Sequence, residues 1–483
     1  MTKTISFTNE KHSALKVILL LAWPAILEQL LISLVQYVDT AMVGSLGTNA
    51  TGSIALVTPS IWLVNGIFAG IAIGFSVPIG NYIGSNQLDK ARNVARQAVI
   101  AIGLLGIIVS ILMIALAQFL PTLLKGEVAI RADATGYLSI IAAGFIFNIT
   151  INICSGILRC TGDTKTPLLC NLATNVINVV LNFLFIFSTR QITIFGFEFT
   201  MWGAGLGVKG AALATIIALS FSASMLFSKL FRKKFVINIV LKDIRKFDKE
   251  VWKDMVRIGS PVAIERATVS VGQIFMTAIV TALGKAALAA HYLSIVAESF
   301  TYMPAFGFSV AATTLVSQSL GANKPQLAKK YSRLCIISGM VFMTVMGVVL
   351  FFASNFLISL FSQDAEVIAL GGKVLKIEAL AQPFFACAMA VTGVLRGARD
   401  TKWPFYISAI GMWGIRLPLA FILTKYTTLG LTGAWIGMVI DMVLRGVLSY
   451  FRFRSNKWNK PIINDLLPDK ELTPIDEETT LGV

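Results

Sequence analysis

The chain has 483 residues, 56% hydrophobic and only 14% charged, with a formal net charge of +16 and a mean hydropathy of +0.76. That balance excludes a string of soluble domains and places the chain in lipid. In a soluble protein such a charge would suggest nucleic acid, so the placement of the lysines and arginines has to decide its meaning.

Apolar runs that reach about 18 residues or more, enough to cross a bilayer core, recur at 14–43, 52–83, 98–121, 136–158, 167–189, 204–228, 256–282, 287–318, 334–360, 371–395, 404–424 and 431–451. They predict an all-α integral membrane protein of twelve transmembrane helices. The first run follows Lys11 and Lys16 as a signal peptide would, yet stays apolar for about thirty residues with no small-residue cleavage site. It reads as an uncleaved helix. Glu28 and Asp39 lie three turns apart on nearly one face of it, with Gln36 one turn before Asp39. Pro24 removes a backbone donor and frees the carbonyl of Leu20, which gives this helix a bend.

In the fourth span Asn148, Asn152 and Ser155 form a short polar stripe, and in the fifth Asn171, Asn175, Asn178 and Asn182 form a longer one. Such stripes commonly glue helices together. The seventh span carries Glu265 and Gln273, and the eighth carries His291, Glu298 and Tyr302 on one face, a titratable patch with an aromatic wall. Arg416 in the eleventh and Asp441 and Arg445 in the twelfth predict an internal ion-pair cluster. A charge near the bilayer midplane costs about 3 kcal/mol on insertion scales, so each of these acids needs a partner, a cavity or a proton. Glu28, Asp39, Glu265, Glu298 and Asp441 are therefore candidates to bind H⁺, Na⁺ or a cationic substrate in competition, with Glu28 open to the plainer reading of a bond to a neighbouring helix.

Most lysines and arginines, roughly thirty, fall in the N-terminal tail, the loops after the even-numbered spans and the C-terminal tail, against roughly eight on the other side. Both termini are thus expected in the cytoplasm, with the chain multi-pass in the inner or plasma membrane. The cysteines at 154, 160, 170, 335 and 387 show no metal-ligand spacing and suit small core positions. With histidine only at 12 and 291, and no phosphate-cradling Gly-x-x-x-x-Gly-Lys-Ser/Thr loop, an enzyme or an ATP-driven pump lacks material. No metal or organic cofactor is expected, only a coupling H⁺ or Na⁺.

The two halves repeat. Pro24, Glu28, Ser33, Gln36 and Thr40 recur as Pro261, Glu265, Ser270, Gln273 and Thr277, and the same offset aligns Gly84-x-Asn86 with Gly321-x-Asn323. It also aligns the loop Arg159-x-x-x-Asp163-Thr164-Lys165-x-Pro167 with Arg396-x-x-x-Asp400-Thr401-Lys402-x-Pro404, read as turns pinned by Asp or Thr caps. Met276 stands where Asp39 would repeat, and an insertion near 190–203 shifts the final match. An even number of spans per half gives a pseudo-twofold axis along the membrane normal and a cleft between halves. The expected organisation is an N-terminal tail at 1–13, an N-lobe at 14–228, a basic linker at 229–255, a C-lobe at 256–455 and an acidic tail at 456–483. Phe247, Val251, Met255 and Ile258 predict an amphipathic helix on the inner surface, tethering the lobes without fixing their angle.

These residues resemble the multidrug and toxic compound extrusion (MATE) transporters, in a form common among Gram-positive bacteria. The resemblance rests on Trp23-Pro24-Ala25-x-x-Glu28 running into Tyr37-x-Asp39-Thr40-x-x-Val43-Gly44, on the two Arg-x-x-x-Asp-Thr-Lys loops, and on Ser317-Gln318-x-x-Gly321-Ala322. It implies export of cationic or amphiphilic compounds in exchange for inward H⁺ or Na⁺ by rocking of two lobes, with a monomer as the working unit. It also implies that Asn178 and Asn182, which fall where the family's N-lobe cation site has an Asn and an acid, face Asp39 with Gln36. Since Asn182 replaces the acid, strong Na⁺ coordination there is in doubt. Glu265, Gln273, His291, Glu298 and Tyr302 are the expected cavity residues. The fold is shared with flippases of lipid-linked saccharides, which tend to have a more basic cavity. An acidic cavity is expected here, and an arginine-lined one would favour the flippase.

Overall fold

The computed structural model describes residues 13–124, 126–194, 197–233, 235–239 and 247–460, with the side chains of Gln36, Tyr37 and residues 192–199 left out. The first half comprises α1 (Ala14–Gly44), α2 (Thr48–Gly84), α3 (Leu88–Ala117), the single turn α4 (Leu120–Leu123), α5 (Val128–Ala143), α6 (Phe145–Cys160), α7 (Lys165–Phe185), a hairpin of β1 (Ser188–Ile194) and β2 (Phe197–Ala204), and α8 (Gly207–Leu230). The second comprises α9 (Lys249–Thr281), α10 (Lys285–Gly321), α11 (Pro325–Ser359), α12 (Ala365–Ala379), α13 (Gln382–Gly397), α14 (Lys402–Ala409), a π-helical turn Ile410–Arg416, α15 (Leu417–Lys425) and α16 (Leu431–Arg454).

Among the described residues nine helices are long and apolar enough to cross a membrane, or eleven when the pairs α5–α6 and α12–α13, bent by 46° and 56°, each count as one span. The spans expected at 136–158 and 371–395 are these bent pairs. The expected eighth span is α10, as long as α2 but rich in Ser, Thr and Gly and buried along much of its length. The inserted residues near 190–203 form an antiparallel hairpin pairing Arg190 with Met201 and Gln191 with Thr200, so the chain is not purely helical.

Repeated residues make repeated turns. Gly47 and Gly284 hold φ of +113° and +102° between the first two helices of each half, and Asn86 and Asn323 hold +59° and +55° after the second. These left-handed conformations strain most side chains, which explains why Gly and Asn recur there.

The segment expected as a surface helix is instead the opening of α9. Asp248 caps that helix by accepting from the Glu250 and Val251 amides at 3.1 and 3.4 Å, and α9 then runs unbroken through the membrane-length stretch. Met255 is buried in a core with Phe75, Ala91 and Val94 of the first half. Reciprocally Val17, Ile18, Leu21 and Ala22 of α1 are buried in a core with Phe308, Leu315 and Val394 of the second. Each half thus inserts the start of its first helix into the other, which ties the halves instead of leaving a loose tether. Residues 234 and 240–246 of the linker, the N-terminal tail to 12 and the acidic residues from 461 lie outside the described residues.

The hydrogen bonds that join the halves lie at the end of the molecule that holds the start of α1. Asn81 Nδ2 donates to the Ser317 carbonyl at 2.8 Å, Gln318 Nε2 to the Cys160 carbonyl at 2.7 Å, and Arg399 Nε to Asn81 Oδ1 at 2.8 Å. Asn81 and Gln318 are repeat mates, so α2 and α10 clasp each other with near twofold logic. The clasp needs glycine: a methyl at Gly84 would overlap the Gln318 carbonyl, and one at Gly321 the Asn81 carbonyl. Gly84→Ala is expected to destabilise by about 1–3 kcal/mol through overpacking, read as a lower unfolding midpoint in detergent. Gly103→Ala, whose methyl meets open space, is expected to hold or raise that midpoint because alanine is the better helix former.

Candidate functional site

Alpha helices one and seven run parallel, so a stripe on one keeps register with the other. Asn171 Nδ2 reaches Glu28 Oε1 at 3.0 Å, Asn175 Nδ2 reaches the Leu31 carbonyl at 2.9 Å, and Asn182 Nδ2 reaches Asp39 Oδ1. Asn182 also donates to Asn178 Oδ1 at 3.0 Å, and Asn178 Nδ2 donates to Thr215 Oγ1 of α8 at 3.2 Å. Thr215 Oγ1 stands 3.5 Å from Asp39 Oδ2. The expected meeting of Asp39, Asn178 and Asn182 is therefore present, with the Gln36 side chain outside the described residues. Thr215 is an addition: a lone threonine in an apolar span carries no signal until α8 packs on α7. Among the described residues no cation pairs with Asp39.

Glu28 behaves differently. Both of its oxygens accept from Arg159 Nη1, at 3.0 and 2.9 Å, and it is 3% exposed. Its repeat mate Glu265 accepts from Arg396 Nη2 at 2.9 Å and from Ser408 Oγ at 3.3 Å. The repeat has preserved one ion pair in two copies, between the first helix of each half and the arginine that opens each Arg-x-x-x-Asp-Thr loop. Placing Glu28 in the coupling set is thus not what the geometry favours; the helix-bonding reading is. The loops also differ in use: Asp163 caps through the Thr166 amide at 3.0 Å, whereas Asp400 takes Arg452 at 3.0 and 2.6 Å.

In the second half Asp441 accepts from Arg416 Nε at 2.7 Å and Arg445 Nε at 2.6 Å, the expected cluster. The π-helical turn carries Arg416 to this point, and within it a methyl on Gly411 would overlap Asp441 Oδ1 and crowd Arg445. Glu298 of α10 faces Glu378 of α12, with Arg416 near both. Glu378 escaped the sequence reading although an acid inside the span 371–395 was signal enough. His291 is a core residue: its Nδ1 accepts from Trp435 Nε1 at 3.1 Å, ring edge to ring face.

A cavity of about 170 Å³ opens among α9, α10, α13, α14 and α16. Glu265 lines it as expected; Gln273, His291, Glu298 and Tyr302 do not, although Tyr302 packs against the lining rings of Phe306 and Phe385. This cavity, lined by residues of the second half alone, is basic where an acidic substrate cavity was expected between the halves. Arg266, Arg396, Arg416 and Arg445 all line the wall. Asp441 is fully buried and held by Arg416 and Arg445, so their guanidiniums rather than its carboxylate end on the cavity side.

The MatE family model matches residues 24–184 and again 261–422, the two stretches starting at the repeated prolines. A probable multidrug resistance protein NorM of Thermotoga maritima is 33% identical over 449 residues, covering 92% of this chain and 93% of that one. A probable multidrug resistance protein YoeA of Bacillus subtilis is 27% identical over 452 residues, covering 92% and 94%. An outward-facing multidrug resistance MATE transporter of the MOP superfamily shares the fold, with a TM-score of 0.85 over 94% of this chain and 98% of that one at 21% identity. A repeat matched twice, helices able to cross a membrane and relatives covered nearly end to end agree: the chain belongs to the MATE family, a membrane transporter and not an enzyme.

Proposed function

We propose that this chain is a secondary antiporter that exports lipophilic or cationic compounds, with its two six-helix lobes rocking to expose the cleft to alternate sides of the plasma membrane. Both termini lie in the cytoplasm, and a monomer suffices. The coupling ion is H⁺. The observation that carries this reading is Asp39, a carboxylate within a membrane-length helix that accepts from Asn182 and lies 3.5 Å from the Thr215 hydroxyl, with no cation paired to it among the described residues. A proton needs only one carboxylate, whereas a hard cation is held by several oxygens at once. Among the described residues the oxygens near Asp39 are those of the Thr215 hydroxyl and the Asn178 and Asn182 amides, with no second carboxylate to balance a bound Na⁺. One monovalent cation moving down about 100 mV yields about 2.3 kcal/mol, enough for a gradient of a neutral compound somewhat under fiftyfold.

The test is efflux of a lipophilic cation from proteoliposomes, driven by an imposed pH gradient without sodium or by a sodium gradient at equal pH. Efflux with the pH gradient alone is the expected result. Transport driven only by sodium would overturn the coupling assignment, and no transport under either gradient would count against export itself.

The arginine-lined cavity favours a second reading, a flippase of a lipid-linked saccharide precursor, since phosphates call for guanidinium. Movement of a fluorescent lipid-linked diphosphate saccharide across the bilayer, with no efflux of cations, would replace the first reading by this one.

A further inference from the structure

The lining arginines of the second half differ in how far their donors are satisfied. Arg416 and Arg445 share Asp441, and Arg396 holds Glu265. Arg396 is 7% exposed and its Nε has no acceptor, and Arg445 Nη2 is likewise buried without one. Among the described residues Arg266 forms no salt bridge with a carboxylate; its guanidinium lies 5.9 Å from the centre of the Phe306 ring. Buried N–H donors left open cost free energy, more so on charged groups. The carboxyls of Glu298 and Glu378 face each other near Arg416 and do not line this cavity. The four arginines outnumber the two carboxylates, Glu265 and Asp441, that pair with three of them, and beside Glu265 and a few hydroxyls the rest of the wall is apolar, with Phe306, Phe385, Met389 and Met442 in it.

We infer that this cavity binds an anionic oxygen group, a carboxylate or phosphate, carried on an apolar body. Planar guanidiniums match the oxygens of such groups in paired hydrogen bonds, and the apolar wall receives the adjoining chain. At about 170 Å³ the space is smaller than the roughly 300–1,000 Å³ of a pocket that encloses a drug-sized ligand. It takes a headgroup with the start of its chain, leaving the rest outside. That the group belongs to an exported compound rests on the exporter reading above; the binding itself does not.

The full-length protein in phosphatidylcholine nanodiscs is titrated with dodecyl phosphate, dodecyltrimethylammonium and dodecyl maltoside. Dodecyl phosphate is expected to bind more tightly than the cationic and neutral probes. Arg266→Gln is expected to weaken it by about tenfold or more, the worth of a charged hydrogen bond, and Arg266→Lys by less. Among the described residues Arg266 has no ion pair to break, and an unchanged unfolding midpoint shows that the variant is folded. Should Arg266→Gln unfold, the Arg266→Lys titration and the ranking of the three probes decide.

A second arm replaces part of the lipid with phosphatidylglycerol. Competition with dodecyl phosphate identifies an anionic phospholipid headgroup as an occupant, and lack of competition identifies a free amphiphile; the site stands in either case. Equal affinity for the three probes, or dodecyl phosphate binding untouched by the substitutions at Arg266, overturns it. Gradient-driven efflux of a lipophilic cation is measured on the same purified proteins reconstituted into proteoliposomes. Its loss with binding intact defeats the exporter reading alone, and its persistence without anion binding defeats the site alone.

Discussion

Replacing Asp39 with asparagine is expected to reduce gradient-driven efflux to the level of protein-free vesicles while leaving folding and membrane insertion intact. The amide keeps the shape of the carboxyl and removes the group that takes up and releases the proton. The contacts around it tolerate the change: the remaining carbonyl oxygen can keep accepting from Asn182 Nδ2 while the new amide nitrogen faces Thr215 Oγ1, which can accept because its own proton goes to the Ala211 carbonyl, and the Asn178–Thr215 link is untouched. Insertion becomes easier, since a neutral amide costs less in hydrocarbon than a charge. Counterflow, in which labelled and unlabelled substrate exchange without a gradient, separates coupling from binding. A coupling role predicts lost uphill efflux with exchange retained, and uphill efflux at full rate would remove Asp39 from the mechanism. Asp39→Glu is expected to restore part of the transport, because a titratable group returns at shifted reach.

A second large effect is expected at the repeated ion pairs, on stability instead of coupling. Glu28→Gln leaves Arg159 without its partner beside a buried position, and breaking one side of a buried pair costs about 3–5 kcal/mol. Glu265→Gln does the same to Arg396, the more enclosed arginine of the two, so its loss is expected to be the greater. The measurement is the unfolding midpoint of purified protein in detergent, together with yield in the membrane. Replacing both partners by apolar residues, as in Glu28→Leu with Arg159→Met, is expected to recover most of the loss, because no charge is then left uncompensated. If Glu28→Gln keeps the parental midpoint but abolishes transport, Glu28 is a coupling residue after all.

Apolar run length and composition alone declared a membrane protein. Hydrocarbon offers the backbone no partners, which leaves helices as the form that an uncharged stretch of this length can take. The repeat was legible because Gly47 and Gly284, and Asn86 and Asn323, hold backbone conformations that few residues accept, and because Glu28 and Glu265 each need an arginine. Asp39 stood out as a charge whose cost in lipid demands a reason. Partnership could not be read this way. Whether a buried acid is neutralised by a neighbour or left to titrate depends on which helices touch, and Arg159 meets Glu28 only once α6 and α1 have packed. The same holds for the linker, whose amphipathic pattern fits a bilayer surface and a protein groove equally well until Met255 is seen in the opposite core. Cavity polarity was likewise a tertiary decision: Arg266, Arg396, Arg416 and Arg445 come from α9, α13, the π-helical turn and α16. No linear pattern marks side chains from four elements as sharing one wall, because that sharing is set by how the helices cross.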